Sequence, residues 1–197
     1  CGVLNCASLA ITTPPLHGTT SIQGCTGTGA CAGCVVIYTP TAGYSGPDSF
    51  GYSVANNQTP ACSGTGLVNL TVCATNAVDD TRTVCAGSNT SIPVLANDTT
   101  SCGVLNCASL TITTPPLHGT TSIQGCTGTG ACASCVVVYT PTAGYTGPDS
   151  FVYTVANNQT PACSDAATVT LTVCATNAVD DARTVCSGSN ISLPVLA

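Results

Sequence analysis

Two stretches, Asp149-Ser-Phe-Val-Tyr-Thr-Val-Ala156 and Ala167-Thr-Val-Thr-Leu-Thr-Val-Cys174, decide the fold class. In the first, Phe151, Tyr153 and Val155 fall on every second residue; in the second, Val169, Leu171 and Val173 do the same, with Thr between them. A period of two puts one set of side chains on one face of an extended chain. Thr on the other face favours strand and meets water. Turn-forming sequence brackets both stretches: Thr140-Pro-Thr-Ala-Gly-Tyr-Thr-Gly-Pro-Asp149 before them, and Asn157-Asn-Gln-Thr-Pro161 between them.

Working outward, the same alternation predicts seven strands, A to G, at residues 78–85, 91–95, 110–114, 120–124, 136–140, 150–156 and 167–174. No segment of ten or more residues carries an apolar period of 3.6, so essentially no helix is expected. The fold class predicted is all-β, a sandwich of about 100 residues.

The sequence repeats itself. Residues 1–96 align without a gap on residues 102–197, and 81 of the 96 pairs are identical. Every Cys has a mate 101 residues away, from Cys1/Cys102 and Cys6/Cys107 to Cys73/Cys174 and Cys85/Cys186. The strand pattern is offset from this repeat. Residues 76–175 read as one complete sandwich. Residues 1–75 hold strands C to G of another, and residues 176–197 hold strands A and B of a third. The later A and B strands are predicted from residues 178–186 and from the alternation of Ile191, Leu193 and Val195.

Composition narrows the function. The chain of 197 residues has two Lys or Arg in total, eight acidic residues and a net charge of −6. Two cations do not neutralise a phosphate backbone, which excludes nucleic-acid binding. No apolar run is long enough to span a membrane, and no basic-then-apolar leader is present, so the sequence reads as a mature chain or a slice of a longer array. Charged residues make up 5% of the chain, against about a quarter in an ordinary soluble domain. Hydroxyl and amide side chains must therefore carry solubility, which suits a glycosylated surface or one hidden in an assembly. Asn57, Asn69, Asn89, Asn97, Asn158 and Asn190 each begin an Asn-x-Ser/Thr triplet and are candidate glycan acceptors. Sixteen Cys among Gly, Thr and Ser point to disulfides and to an oxidising compartment outside the cell. The rival for some of them is zinc, since Cys132-x-x-Cys135 with Cys102-x4-Cys107 offers four thiolates.

Asn76-Ala-Val-Asp-Asp80, Ile92-Pro-Val-Leu-Ala-Asn-Asp98, Pro116-Leu-His-Gly119 and Tyr139-Thr-Pro-Thr-Ala-Gly-Tyr-Thr-Gly-Pro-Asp-Ser-Phe-Val-Tyr153 together resemble the bacterial Ig-like, cadherin-like tandem repeats of large surface proteins. The resemblance covers the whole unit and returns in the partial copies. It implies a β-sandwich used as a spacer, stalk or adhesive rod. It also hints at calcium near domain junctions, with Asp79, Asp80, Asp98, Asp180 and Asp181 as candidate ligands. In Ig-type sandwiches strands A and G lie side by side, so Cys85–Cys174 is the expected bridge there. Cys126–Cys135, with its mate Cys25–Cys34, is expected across the D–E hairpin; eight Cys per unit leave the remaining connectivity open. His17 and His118 read as turn residues, and no nucleophile motif accompanies them, so no enzyme is expected.

The incomplete ends are complementary. Residues 177–197 of one chain could complete residues 1–74 of the next, a head-to-tail contact that does not close and so builds a filament. On this reading Cys73, the mate of Cys174, is expected to bond Cys186 of a neighbouring subunit. The function expected is a structural subunit of an extracellular filament or stalk whose main partner is itself. The alternative is an adhesin or carbohydrate-binding module presenting its Cys-rich loops.

Overall fold

The computed structural model describes residues 2–176 and 180–193. The described residues contain fifteen strands and no helix. The first five are β1 (Leu4–Thr13), β2 (Gly18–Gln23), β3 (Val35–Pro40), β4 (Gly46–Asn56) and β5 (Ser63–Val72). Then follow β6 (Thr75–Asn76), β7 (Asp80–Cys85), β8 (Thr90–Ile92), β9 (Thr99–Thr100) and β10 (Leu105–Thr114). The last are β11 (Gly119–Gln124), β12 (Thr129–Gly130), β13 (Val136–Pro141), β14 (Gly147–Asn157) and β15 (Ser164–Cys174).

From residue 75 to residue 174, apart from the short β6–β9 pair, these strands make two sheets packed on one core. One sheet has the order β12-β10-β14-β15-β7 and the other β11-β13-β8. Predicted strands A, C, F and G thus share one sheet, and B, D and E the other. The inward residues of both meet in a single cluster that includes Val84, Ile92, Val137, Tyr139, Phe151, Tyr153, Val169 and Leu171. Strand A joins by a parallel pairing of β7 with β15, in which Val84 lies opposite Val173 and Cys85 opposite Cys174. Strand B joins by an antiparallel pairing of β8 with β13, with Ile92 opposite Val137.

Strand C begins five residues earlier than the alternation predicts, at Leu105, because β10 breaks its register on β14 between Asn106 and Thr111. Such an irregularity hides the period of two. After β11 the chain turns at Gly125, with φ of +66°, where a Cβ would overlap the carbonyl oxygen of Ser134. Only glycine fits both that dihedral and that approach.

Residues 2–72 repeat part of this design. β1, β4 and β5 form one sheet and β2 and β3 another. The registers match those of the complete sandwich, with Phe50 opposite Val68 as Phe151 is opposite Val169. β5 and β3 have no counterparts of β7 and β8. Residues 180–193 form no strand, and all of them are exposed. The remainder of the predicted later A and B strands, including Val195, lies outside the described residues, as does Cys1.

Candidate functional site

The missing strands leave a groove between the two sheets of residues 2–72. It has a volume of about 460 Å³, and its walls include Leu4, Leu9, Val36, Phe50, Tyr52 and Val68. Each of these is the repeat mate of a buried residue. Leu105 is 5% exposed, whereas Leu4 is 46% exposed. Val137, Tyr153 and Val169 are fully buried, and their mates Val36, Tyr52 and Val68 are only partly so. In the complete sandwich the corresponding space is filled by Val84, Ile92, Val94 and Leu95 from β7, β8 and the turn after it. The repeat mates of those four residues are Val185, Leu193, Val195 and Leu196. Val185 and Leu193 stand in solvent, 46% and 48% exposed. An unpaired strand edge beside an apolar groove is the arrangement that accepts an added strand.

The segment around Val185 already carries one local feature of its counterpart. Ser189 N donates to Cys186 O at 3.1 Å, as Ser88 N donates to Cys85 O at 3.3 Å in the turn between β7 and β8. Beyond that turn, the two segments differ in having or lacking a sheet to join.

A second site lies where residues 2–72 meet the complete sandwich. β5 ends at Val72 and β6 begins at Thr75, so two residues separate them. β6 pairs with β9, and Ser101 N donates to Ala74 O at 2.9 Å. This packs the end of β5 against the pole carrying Cys102 and Cys163. Cys73 is bridged to Cys102, with 5.4 Å between their Cα atoms. The thiol of Cys163 donates to Cys73 O at 3.2 Å.

The other cysteines divide between bridges and thiols. Cys25–Cys34 and Cys126–Cys135 are bridged across the β2–β3 and β11–β13 hairpins. Cys6–Cys31 and Cys107–Cys132 tie β1 and β10 to the Cys-rich loops beside them. With Cys102, Cys107, Cys132 and Cys135 all held in bridges, the zinc alternative loses its thiolates. Five disulfides fit an oxidising environment. Cys62, Cys85, Cys163, Cys174 and Cys186 are free thiols.

Two expected pairings are corrected. Cys85 and Cys174 are neighbours in register, but both remain thiols. Cys73 is not available to Cys186 of a neighbour, because Cys102 holds it within the chain. The expectation treated Cys102 as part of one domain's loop pole. The two-residue passage from β5 to β6 makes that pole a junction.

The candidate calcium ligands Asp79, Asp80 and Asp98 are each engaged with other groups of the fold. Asp98 is buried, where it accepts from Val78 N at 2.8 Å and from the Tyr153 hydroxyl at 2.9 Å. Asp79 accepts from Thr168 N at 2.8 Å across the β7–β15 edge. Asp80 accepts from the Asn97 amide and leaves Oδ2 buried without a partner. Asp180 and Asp181 are exposed. Among the described residues no three metal-ligating side chains come together, and calcium wants six or more oxygens. These carboxylates instead organise the fold. Burial raises the Tyr153 hydroxyl well above its usual value, and its hydrogen bond to Asp98 adds to the effect. Burial likewise raises Asp98, although Val78 N and Tyr153 oppose it.

Asp149 plays a similar part at the opposite end of β14. It accepts from Leu117 N and His118 N at 3.0 Å each and from the Tyr139 hydroxyl at 2.8 Å. His118 stacks on Tyr145 with 4.0 Å between ring centres, so this histidine serves a turn. All six sequon asparagines are exposed, Asn69 included. Four of them are engaged through their side chains: Asn57, Asn89 and Asn158 accept from Val3 N, the Thr140 hydroxyl and Val104 N, and the Asn97 amide donates to Val78 O at 3.3 Å.

Among the described residues no helix is long and apolar enough to cross a membrane. No curated protein matches the sequence. Solved structures with some likeness include protocadherin gamma B2 extracellular cadherin domains 3–6, at 9% identity and a TM-score of 0.33, covering 84% of this chain and 41% of that one. They also include the endo-fucoidan hydrolase MfFcnA4 from glycoside hydrolase family 107, at 19% identity and a TM-score of 0.33, covering 86% of this chain and 24% of that one. The chain spans less than two thirds of either structure, and at these scores the likeness bears on neither activity nor partner. The family comparison is decisive: the model of the bacterial Ig domain matches residues 73–172, from the end of β5 through most of β15. The chain belongs to the bacterial Ig domain family.

Proposed function

We propose that the chain is the repeating structural subunit of an extracellular filament or surface stalk. Subunits join head-to-tail when residues 177–197 of one copy enter the groove in residues 1–74 of the next. The observation that carries this reading is the match between an unfilled groove and an unpaired segment of the same chain. The complete sandwich supplies the template. By its registers, Val185 of the donor faces Val72, and Leu193 faces Val36. Apolar burial of a Val or Leu side chain is worth about 1.5–3 kcal/mol, and the donor offers four of them. The contact uses two different surfaces and does not close on itself, so it propagates.

The role is mechanical. Sandwich cores give each domain its fold, and disulfides restrict the unfolded chain. The two Arg residues leave trypsin-like proteases few sites. The alternative, a module that presents Cys-rich loops to a ligand, has less support: the loop from Cys126 to Cys135 is held by two bridges and contains no aromatic residue.

The test is the state of the purified 197-residue chain in electron micrographs and sedimentation. Wild type forms threads, and a Val185→Asp/Leu193→Asp variant stays monomeric with its complete sandwich still folded. A wild-type chain that remains monomeric at high concentration sinks the proposal.

A further inference from the structure

The free thiols follow a rule that the filament reading makes legible, and the inference below rests on that reading. In the complete sandwich, Ala86 N donates to Cys174 O at 2.7 Å just beyond the register pair Cys85 and Cys174. Cys73 is the repeat mate of Cys174, and Cys186 is the mate of Cys85. A donor strand seated on β5 in the same register therefore brings Cys186 opposite Cys73, about 4.8 Å away across the sheet. Cys73 is already bridged to Cys102. The thiol beside it is Cys163, whose sulfur touches the Cys73 carbonyl oxygen, the acceptor that Ser187 N would reach. A carbonyl oxygen has two lone pairs and can serve both.

We infer that donor-strand entry creates an intermolecular disulfide between Cys186 of one copy and Cys163 of the next. The same geometry recurs one repeat along. Cys62 is the mate of Cys163, and Cys85 holds at β15 the place that Cys186 takes at β5. Cys85 of one copy thus bonds Cys62 of the next, at the other end of the completed domain. The Cys73–Cys102 bridge, moved on by one repeat, asks Cys174 for the mate of Cys102, which is Cys1 of the next copy. Ten cysteines in five internal bridges and six in three intermolecular ones account for all sixteen.

Each new bond converts two thiols to one disulfide. The two protons and two electrons pass to a disulfide oxidant, such as glutathione disulfide, which leaves as two thiols. The Cys163 sulfur gives up its proton and with it the bond to Cys73 O. The arriving Ser187 N–H takes that acceptor over. Each junction is then crossed by three covalent bonds, and the thread no longer depends on strand affinity alone.

The test mixes equal amounts of ordinary and ¹⁵N-labelled full-length chain, assembles them with glutathione disulfide, and images the product. The threads are alkylated, digested with pepsin at acid pH without reductant, and the cross-linked peptides are weighed. The expected peptides join Cys163 to Cys186 and Cys62 to Cys85, with about half of each pair carrying one label of each kind. In a Cys186→Ser variant, threads still form and Cys163 becomes alkylated in every subunit. Threads whose Cys163 is alkylated in wild type, or whose Cys85 is joined to Cys174, overturn this inference and leave strand addition standing. Absence of threads in both chains removes strand addition and this inference together.

Discussion

Residues 1–74 and 102–175 differ at eleven positions, yet one segment is half of a packed domain and the other an open shell. Phe50 and Phe151 are both buried, so the centre of each survives. Around that centre the inward faces lose their cover. Leu4, Val35 and Ile37 stand in water, whereas their mates are buried or half-buried. Alternation in sequence specifies which face of a strand is apolar. It does not specify whether another strand comes to cover that face. Burial is a property of the assembly, here of two strands contributed from elsewhere.

The largest effect expected from this contrast is a large-to-small substitution at matched positions. Leu105→Ala removes a buried side chain and costs about 2–5 kcal/mol by chemical denaturation. Leu4→Ala costs within about 0.5 kcal/mol in the monomer, as exposed positions do. In assembled threads the Leu4→Ala cost rises toward that of Leu105→Ala. Equal costs in the monomer would break the comparison, since they would mean that the shell is already closed.

Next in size are the bridges. Cys107→Ser/Cys132→Ser frees a loop closed over a separation of 25 residues and lowers stability by about 2–4 kcal/mol. Cys73→Ser/Cys102→Ser leaves the melting of the complete sandwich within about 0.5 kcal/mol, because that bridge joins two units rather than closing one. Hydrogen exchange should separate the two variants: the first loses protection across β10 and β12, and the second only around β6 and β9.

Much of this was legible before any coordinates. Each of the seven predicted strands corresponds to a strand of the complete sandwich, because Phe151, Tyr153, Val155, Val169 and Leu171 keep a strict period. The hairpin bridge Cys126–Cys135 was expected because its two residues flank one turn. Cys107–Cys132 was not, because Cys107 looks like a loop residue until the irregularity in β10 is known. Cys73–Cys102 escaped for a different reason. Its partners belong to different units, and the clue was the shortness of the passage between them: with Thr75 buried only three residues after Val72, the end of one unit has to touch the next. The roles of the candidate calcium carboxylates were not legible either. Asp79 and Asp98 are committed to backbone amides and a tyrosine, which a sequence motif does not display.

A smaller effect tests the polar part of the contrast. Tyr153→Phe leaves Asp98 buried without its hydroxyl donor and costs about 1–3 kcal/mol. Tyr52→Phe, in the shell that lacks an Asp98 counterpart, costs within about 0.5 kcal/mol. Thermal melts of the two single variants settle the difference.

The smallest effect depends on pH. Burial raises the Asp80 carboxyl to about 6, with the Asp98 charge adding to it, and Arg82 and Asn97 only partly opposing. The folded form therefore holds its proton to higher pH than the unfolded chain, whose reference value is 3.8. Stability from this group is complete below that reference and is lost as pH rises toward 6. Asp80→Asn removes the penalty: its melting temperature matches wild type at pH 4 and exceeds it at pH 7. Asp181 is the repeat mate of Asp80, and it is exposed in the single chain. Asp181→Asn should leave the monomer's melting unchanged at both values. In threads the donor strand carries Asp181 into the position that Asp80 occupies, but without a mate of Asp98 beside it. Only the burial part of the penalty is then inherited. Threads of Asp181→Asn should resist dissociation more than wild type at pH 7, by a smaller margin than Asp80→Asn gains in melting. A margin of zero would mean that Asp181 stays in solvent and that the donor strand sits in another register.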